Sequence, residues 1–105
     1  MTYYSIEFRT AVLLSFQQAL LDLVTPPLRA VSVTPTRPVI RAVYTYESLS
    51  EEDRQFMLEV ETYVAADFHS PVNVEFRAVK STSDQRLILP THDVWVFRRH
   101  EEWPG

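Results

Sequence analysis

The sequence predicts a two-layer α+β sandwich, in which two helices cover one face of a four-stranded antiparallel sheet. Two stretches with helical periodicity alternate with two pairs of segments rich in β-branched and aromatic residues, so the order is helix, hairpin, helix, hairpin (αββαββ). A sheet with one apolar face can bury the apolar stripes of both helices. Because the chain has 105 residues, of which 46% are hydrophobic, we expect one α/β sandwich domain over residues 1–105.

The first helix is predicted over residues 5–24. Pro26 and Pro27 cannot continue it, because each lacks an amide hydrogen and has a fixed φ. The alternation of apolar and polar residues over 4–9 leaves open a short strand there, with the helix starting at Thr10. The residues that fall within one half of the helical wheel are Phe8, Val12, Leu13, Phe16, Ala19, Leu20, Leu23 and Val24.

Strands are predicted over 29–34 and 39–46, followed by a second pair over 72–79 and 93–99. The connection within the first pair, 34–38, has two prolines and no glycine. Tight primed turns are therefore disfavoured, and we expect a longer and stiffer loop.

The second helix is predicted to begin within 48–53 and to run to about Phe68, before Pro71. Its start combines serine hydroxyls, which accept hydrogen bonds from unpaired helix amides, with carboxylates that suit the positive end of the helix dipole. Its apolar face comprises Leu49, Phe56, Met57, Val60, Tyr63, Val64 and Phe68.

Composition excludes several classes of function. The chain has no cysteine, and its one glycine is Gly105, so disulfides, thiolate metal sites, P-loops and nucleophile elbows are not available. The spacing of the histidines matches no metal signature. We therefore predict no catalytic residues, no metal, no cofactor and no enzymatic activity. The net charge of −4 argues against a nucleic-acid partner, and no signal-peptide or membrane-crossing pattern is present, so we expect a cytoplasmic protein without a membrane partner.

Negative charge is concentrated in the second helix and its flanks. Residues 47–67 carry seven acids and one base, for a charge of −6, whereas the rest of the chain has seven acids and nine bases, for +2. Such a field steers a basic partner, although acids at a helix start also suit the dipole of a solvated helix. The residues we predict to bind a partner are Glu51, Glu52, Asp53, Glu59 and Glu61.

Apolar side chains also lie where two helices would not cover them. Leu14, Leu21 and Leu58 fall off the predicted core faces. Strands 39–46 and 93–97 are apolar on both faces, so one face is a candidate contact surface for a partner or a second copy. The alternative is that loop 80–92 folds over it. The residues of this predicted aromatic face are Tyr44, Tyr46, Trp95 and Phe97.

Several short stretches resemble small bacterial immunity proteins of polymorphic-toxin systems, which are similar to the partners that neutralise contact-dependent growth-inhibition toxins. The resemblance implies a protein-binding module that blocks a cognate toxin by stoichiometric occlusion. From the negative charge of residues 47–67 we expect that toxin to be basic, for example a nuclease. The alternatives are a small homodimeric domain that binds an unknown small-molecule ligand, and a minor enzyme. The stretches are Leu28-Arg29-Ala30-Val31-Ser32-Val33, Leu49-Ser50-Glu51-Glu52-Asp53-Arg54, Val60-Glu61-Thr62-Tyr63-Val64-Ala65-Ala66-Asp67-Phe68 and Trp95-Val96-Phe97-Arg98-Arg99.

Overall fold

The predicted order of elements is confirmed. The computed structural model describes residues 6–69, 71–82, 84–90 and 93–101. Within these ranges the chain forms an α+β fold with two helices and four strands. In chain order these are α1 (Ile6–Ala19), β1 (Leu28–Thr34), β2 (Val39–Tyr46), α2 (Glu51–Ala66), β3 (Asn73–Lys80) and β4 (Val94–Arg98).

The sheet is mixed, so the prediction of an all-antiparallel sheet is wrong. Its strand order is β3-β2-β1-β4, and β1 pairs antiparallel with both β2 and β4. β2 and β3 are parallel because α2 carries the chain back along the sheet, so that Val39 pairs with Asn73 and Tyr46 with Lys80. The predicted second hairpin is also wrong, since β3 and β4 lie at opposite edges of the sheet.

Both helices pack on one face of this sheet, as predicted. β2 alternates between buried and less buried residues, and its buried side chains belong to the same apolar cluster as those of α1 and α2. The ring of Phe16 in α1 stacks on Phe76 in β3, with 5.5 Å between ring centroids. The core of the molecule therefore lies between one helical layer and one sheet face.

Helix α1 is helical from Ile6, so the alternative strand is wrong for residues 6–9; residues 4 and 5 lie outside the described part of the chain. The helix ends at Ala19, before the predicted Val24. The chain turns there: the Leu23 amide donates to the Leu20 carbonyl at 3.0 Å, and Asp22 has a φ of 66°. Leu23 still packs against the core, which is why the apolar pattern continues beyond the helix.

The second face of the sheet is covered in part by the segment that follows β3. Arg29 of β1 is 0% exposed. Its guanidinium donates to both carboxylate oxygens of Glu101, at 2.7 Å each, and to the carbonyls of Thr82 and Gln85, at 2.9 and 2.7 Å. We call this arrangement the Arg29 clamp. It holds the start of the connection between β3 and β4 against the central strand.

Candidate partner-binding surface

Three of the predicted acidic residues lie together on the outer side of α2. Glu51, Glu52 and Glu59 are exposed and form no ion pair with any described residue. Glu52 and Glu59 are seven residues apart, so they lie two helical turns from one another on the same side. We call Glu51, Glu52 and Glu59 the acidic face. Glu61 is half-buried on the other flank of the helix, where it lines a groove beside β3.

Asp53 belongs to the structure of the helix start and is not available to a partner. It is 4% exposed, and its carboxylate accepts hydrogen bonds from the Thr25 hydroxyl at 2.6 Å and from the Ser50 amide at 2.9 Å. In return, the Ser50 hydroxyl accepts from the Asp53 amide, which completes a capping box. Burial opposes ionisation of Asp53, but these hydrogen bonds outweigh it and hold the pKa of the carboxyl below its ordinary value. Its predicted binding role is therefore corrected.

A groove of about 520 Å³ runs between the C-terminal ends of α1 and α2. Three carboxylates, those of Asp22, Glu59 and Asp67, are among its lining residues, and none of the described residues that line it is basic. We call it the helix-end groove. Its lining residues are Ser15, Gln18, Ala19, Leu21, Asp22, Leu23, Glu59, Tyr63 and Asp67.

Two of these carboxylates lie at the negative ends of helix dipoles. Asp22 is in the turn after α1, and Asp67 is the C-cap of α2. An acid at a helix C-terminus is electrostatically unfavourable, because the last carbonyls carry about half a negative charge. The Ser15 hydroxyl donates to Asp67 Oδ2 at 2.6 Å, which fixes this carboxylate and links the two helices. Negative charge from side chains and backbone therefore converges on the groove.

Apolar side chains are exposed beside the same groove. Leu21 is 71% exposed and Tyr63 is 61% exposed. Leu58, which lies with Tyr63 along an adjoining depression of α2, is also exposed, as is Leu14 of α1. The sequence-based interpretation that Leu14, Leu21 and Leu58 lie off the core is thus confirmed, and the outer helical surface combines carboxylates with uncovered apolar area.

The structure does not bring the predicted aromatic face together. Tyr44 and Tyr46 are 1% and 2% exposed, because the alternation of β2 directs them beneath the helices. Phe97 also packs against the core, opposite Val31. Trp95 is half-buried on the other face of the sheet, where the guanidinium of Arg98 lies 5.4 Å from its ring centroid. The two helices therefore cover Tyr44 and Tyr46, which the sequence predicts to lie on an open face of the sheet.

Comparison with known families identifies the chain. The family model described as MafI2 immunity protein matches residues 9–101. The chain belongs to the MafI2 immunity protein family. No curated protein matches it. The predicted resemblance to immunity proteins of polymorphic-toxin systems is thereby confirmed, and toxin neutralisation is the function that membership implies. The MafI2 immunity family is not a family of enzymes.

Neither described helix of this MafI2 immunity family member is long and apolar enough to cross a membrane. Within the described ranges, no three acidic or histidine side chains are grouped so that they could hold a metal ion. The three carboxylates of the helix-end groove are thus spread along it, and they do not form a coordination site.

The sequence did not point to the helix-end groove. The predicted second helix runs past Asp67 and assigns it no role, whereas the structure exposes Asp67 at the helix end. The prediction places Asp22 inside a longer first helix and Tyr63 on the core face of the second. The one available signal was the position of Asp22 and Asp67, each within a few residues of a proline that ends a helix.

Proposed function

We propose that this MafI2 immunity family member neutralises a cognate toxin by stoichiometric binding, with the acidic face covering a basic surface of the toxin. The observation that carries the proposal is the exposure of Glu51, Glu52 and Glu59 without an ionic partner among the described residues. Unpaired carboxylates on one side of a helix create a field that accelerates association with a positive surface.

A nuclease is the class of toxin that fits this face best. Nucleic-acid clefts carry lysine and arginine because they must neutralise phosphates, and a negative helix can occupy such a cleft as a competitor. Inhibition by occlusion breaks no covalent bond, so the immunity protein needs neither a cofactor nor a catalytic residue. Its place of action would be the cytoplasm, where such a toxin meets nucleic acid.

The experiment has two stages. First, the tagged chain is purified from its own cells, the bound polypeptide is identified by mass spectrometry, and the mass of the native complex gives the stoichiometry and shows whether two copies of the chain are present. Second, the recovered polypeptide is expressed in a heterologous host with and without the immunity protein. We expect a basic, toxic polypeptide whose toxicity the wild-type chain removes.

Charge reversal then tests the acidic face. The triple variant Glu51→Lys, Glu52→Lys, Glu59→Lys should lower the association rate by about 10-fold or more and weaken protection, since steering depends on local charge. The matched control, Glu7→Lys, Glu75→Lys, Asp84→Lys, changes net charge equally on exposed residues elsewhere. Equal losses of protection in both triples would refute a specific role for this face, provided that circular dichroism shows both variants folded.

A further inference from the structure

We infer that the helix-end groove is the docking site for an arginine side chain of the cognate toxin, with an apolar neighbour of that arginine resting on Leu21. This inference rests on the proposed function, because it specifies which toxin group the immunity protein recognises. It concerns a surface that adjoins the acidic face and shares Glu59 with it, but that has two further carboxylates, those of Asp22 and Asp67, and its own exposed apolar residues.

The charge of the groove requires a positive occupant. Asp22, Glu59 and Asp67 line it, no described lining residue is basic, and the C-terminal ends of α1 and α2 add about half a negative charge each. Among the described residues, Asp22, Glu59 and Asp67 form no ion pair within the chain. An approaching cation would therefore not have to displace an internal partner.

The spacing of the carboxylates favours an organic cation over a metal ion. A divalent cation needs oxygen ligands at about 2.0–2.6 Å that converge on one point, and the described residues contain no such group. A guanidinium is planar, has five N–H donors and can reach two separate carboxylates, whereas an ammonium acts as a point charge.

Tyr63 and Leu21 give the groove its preference for arginine over lysine. A guanidinium is planar and can stack on the exposed ring of Tyr63, whereas the ammonium of lysine has no flat face to stack. The aliphatic part of the arginine side chain, or an apolar neighbour in the toxin, can cover Leu21, which is left bare in the isolated chain.

One wall of the groove is already fixed. The Ser15 hydroxyl holds Asp67 Oδ2 at 2.6 Å, so this carboxylate loses little side-chain freedom when a partner binds. Its other oxygen accepts no hydrogen bond from a described residue. Glu59 has no hydrogen bond with any described residue and can adjust to the incoming guanidinium.

The experiment removes charge without changing shape. Asp22→Asn and Asp67→Asn keep side-chain size; asparagine tolerates the positive φ of position 22, and it can still accept from Ser15. We expect this double variant to bind the toxin about 10-fold more weakly. The control Glu7→Gln, Glu75→Gln changes net charge equally and should bind within about 2-fold of wild type. Calorimetry with the purified toxin measures both affinities.

Two further measurements identify the occupant. Tyr63→Ala should weaken binding by about 10-fold, and Tyr63→Phe, which keeps the ring, by less than about 2-fold. An alanine scan of the toxin's arginines should reveal one whose loss weakens binding to the wild-type chain but has little further effect on the Asp22→Asn, Asp67→Asn variant.

The outcomes separate the two proposals. If the Asp22→Asn, Asp67→Asn variant binds the toxin with wild-type affinity, while charge reversal of Glu51 and Glu52 alone weakens the complex, the groove is overturned and the proposed function stands. The same comparison can be made for the toxin's lysines. If the loss of a lysine, and of no arginine, weakens binding to the wild-type chain but not to the Asp22→Asn, Asp67→Asn variant, the preference for arginine is overturned. Failure of the wild-type chain to form any toxin complex overturns both proposals.

Discussion

Replacing Arg29 with methionine should strongly lower the free energy of unfolding of this fold. The side chain is 0% exposed, and its guanidinium holds Glu101, the Ser81 hydroxyl and two backbone carbonyls. Methionine fills a similar volume but donates nothing. It would leave the Glu101 carboxylate with Arg99 as its remaining ionic partner among the described residues, at 2.9 Å.

The magnitude follows from the contacts. Removing one partner of a buried ion pair costs about 3–5 kcal/mol, because the other charge stays buried. Two carbonyls that lose their donors add to the cost where water cannot reach them. We therefore expect Arg29→Met to lower the free energy of unfolding by about 3–5 kcal/mol, a large part of the roughly 5–15 kcal/mol of a typical domain.

Equilibrium unfolding in urea, followed by circular dichroism, measures this loss. Arg77→Met is the matched control, since Arg77 is exposed and forms no ion pair with a described residue; its effect should stay within about 0.5 kcal/mol. The double variant Arg29→Met, Glu101→Gln should recover part of the loss, because it removes the stranded charge. A cost below about 1 kcal/mol for Arg29→Met would refute the reasoning.

Two further predictions concern the core and the response to acid. The Tyr44 hydroxyl is buried without a hydrogen-bond partner among the described residues, and burial raises the pKa of Tyr44 well above its ordinary value. Tyr44→Phe should therefore raise the free energy of unfolding by about 1 kcal/mol. A comparable fall in the free energy of unfolding, measured in urea, would contradict this. The Arg29 hydrogen bond lowers the pKa of Glu101 below its ordinary value of 4.5. At Asp53 burial opposes ionisation, but hydrogen bonds from Thr25 and Ser50 outweigh it and lower the pKa from its ordinary value of 3.8. The folded state thus binds fewer protons at these groups, so stability is lost as pH falls below about 4.5. Asp53→Asn and Glu101→Gln should each reduce the fall in the free energy of unfolding, measured in urea, between pH 7 and 3. If the dependence of this free energy on pH were unchanged, the loss of stability in acid could not be assigned to these two carboxyls.

Local chemistry made some elements predictable. The start of α2 was identified because Ser50 and Asp53 form a capping box, which depends only on residues three apart. The end of α1 was placed too late because Leu23 packs on the same core as the helix, and hydrophobic periodicity does not distinguish a helix from a turn that shares its core. The short stretches that resemble immunity proteins also predict the correct class of protein.

Strand pairing and the groove depended on tertiary structure. A connection of helical length between β2 and β3 allows a parallel pair, but the runs 72–79 and 93–99 alone resembled the two arms of a hairpin. The long segment between them crosses from one sheet edge to the other. The helix-end groove arises only when α1 and α2 are packed side by side, so Asp22 and Asp67, which are far apart in sequence, could not be grouped in advance.

The central position of β1 has a consequence for how the protein is made. β1 can pair with β2 as soon as both have left the ribosome, but its other side waits for β4, whose Phe97 pairs with Val31. Arg29, likewise, remains without the Glu101 carboxylate until the last part of the described chain is synthesised. Such late, long-range contacts slow folding. The complete sheet, and with it the packing that places the two helices side by side, is therefore available only after β4 has been synthesised and paired with β1.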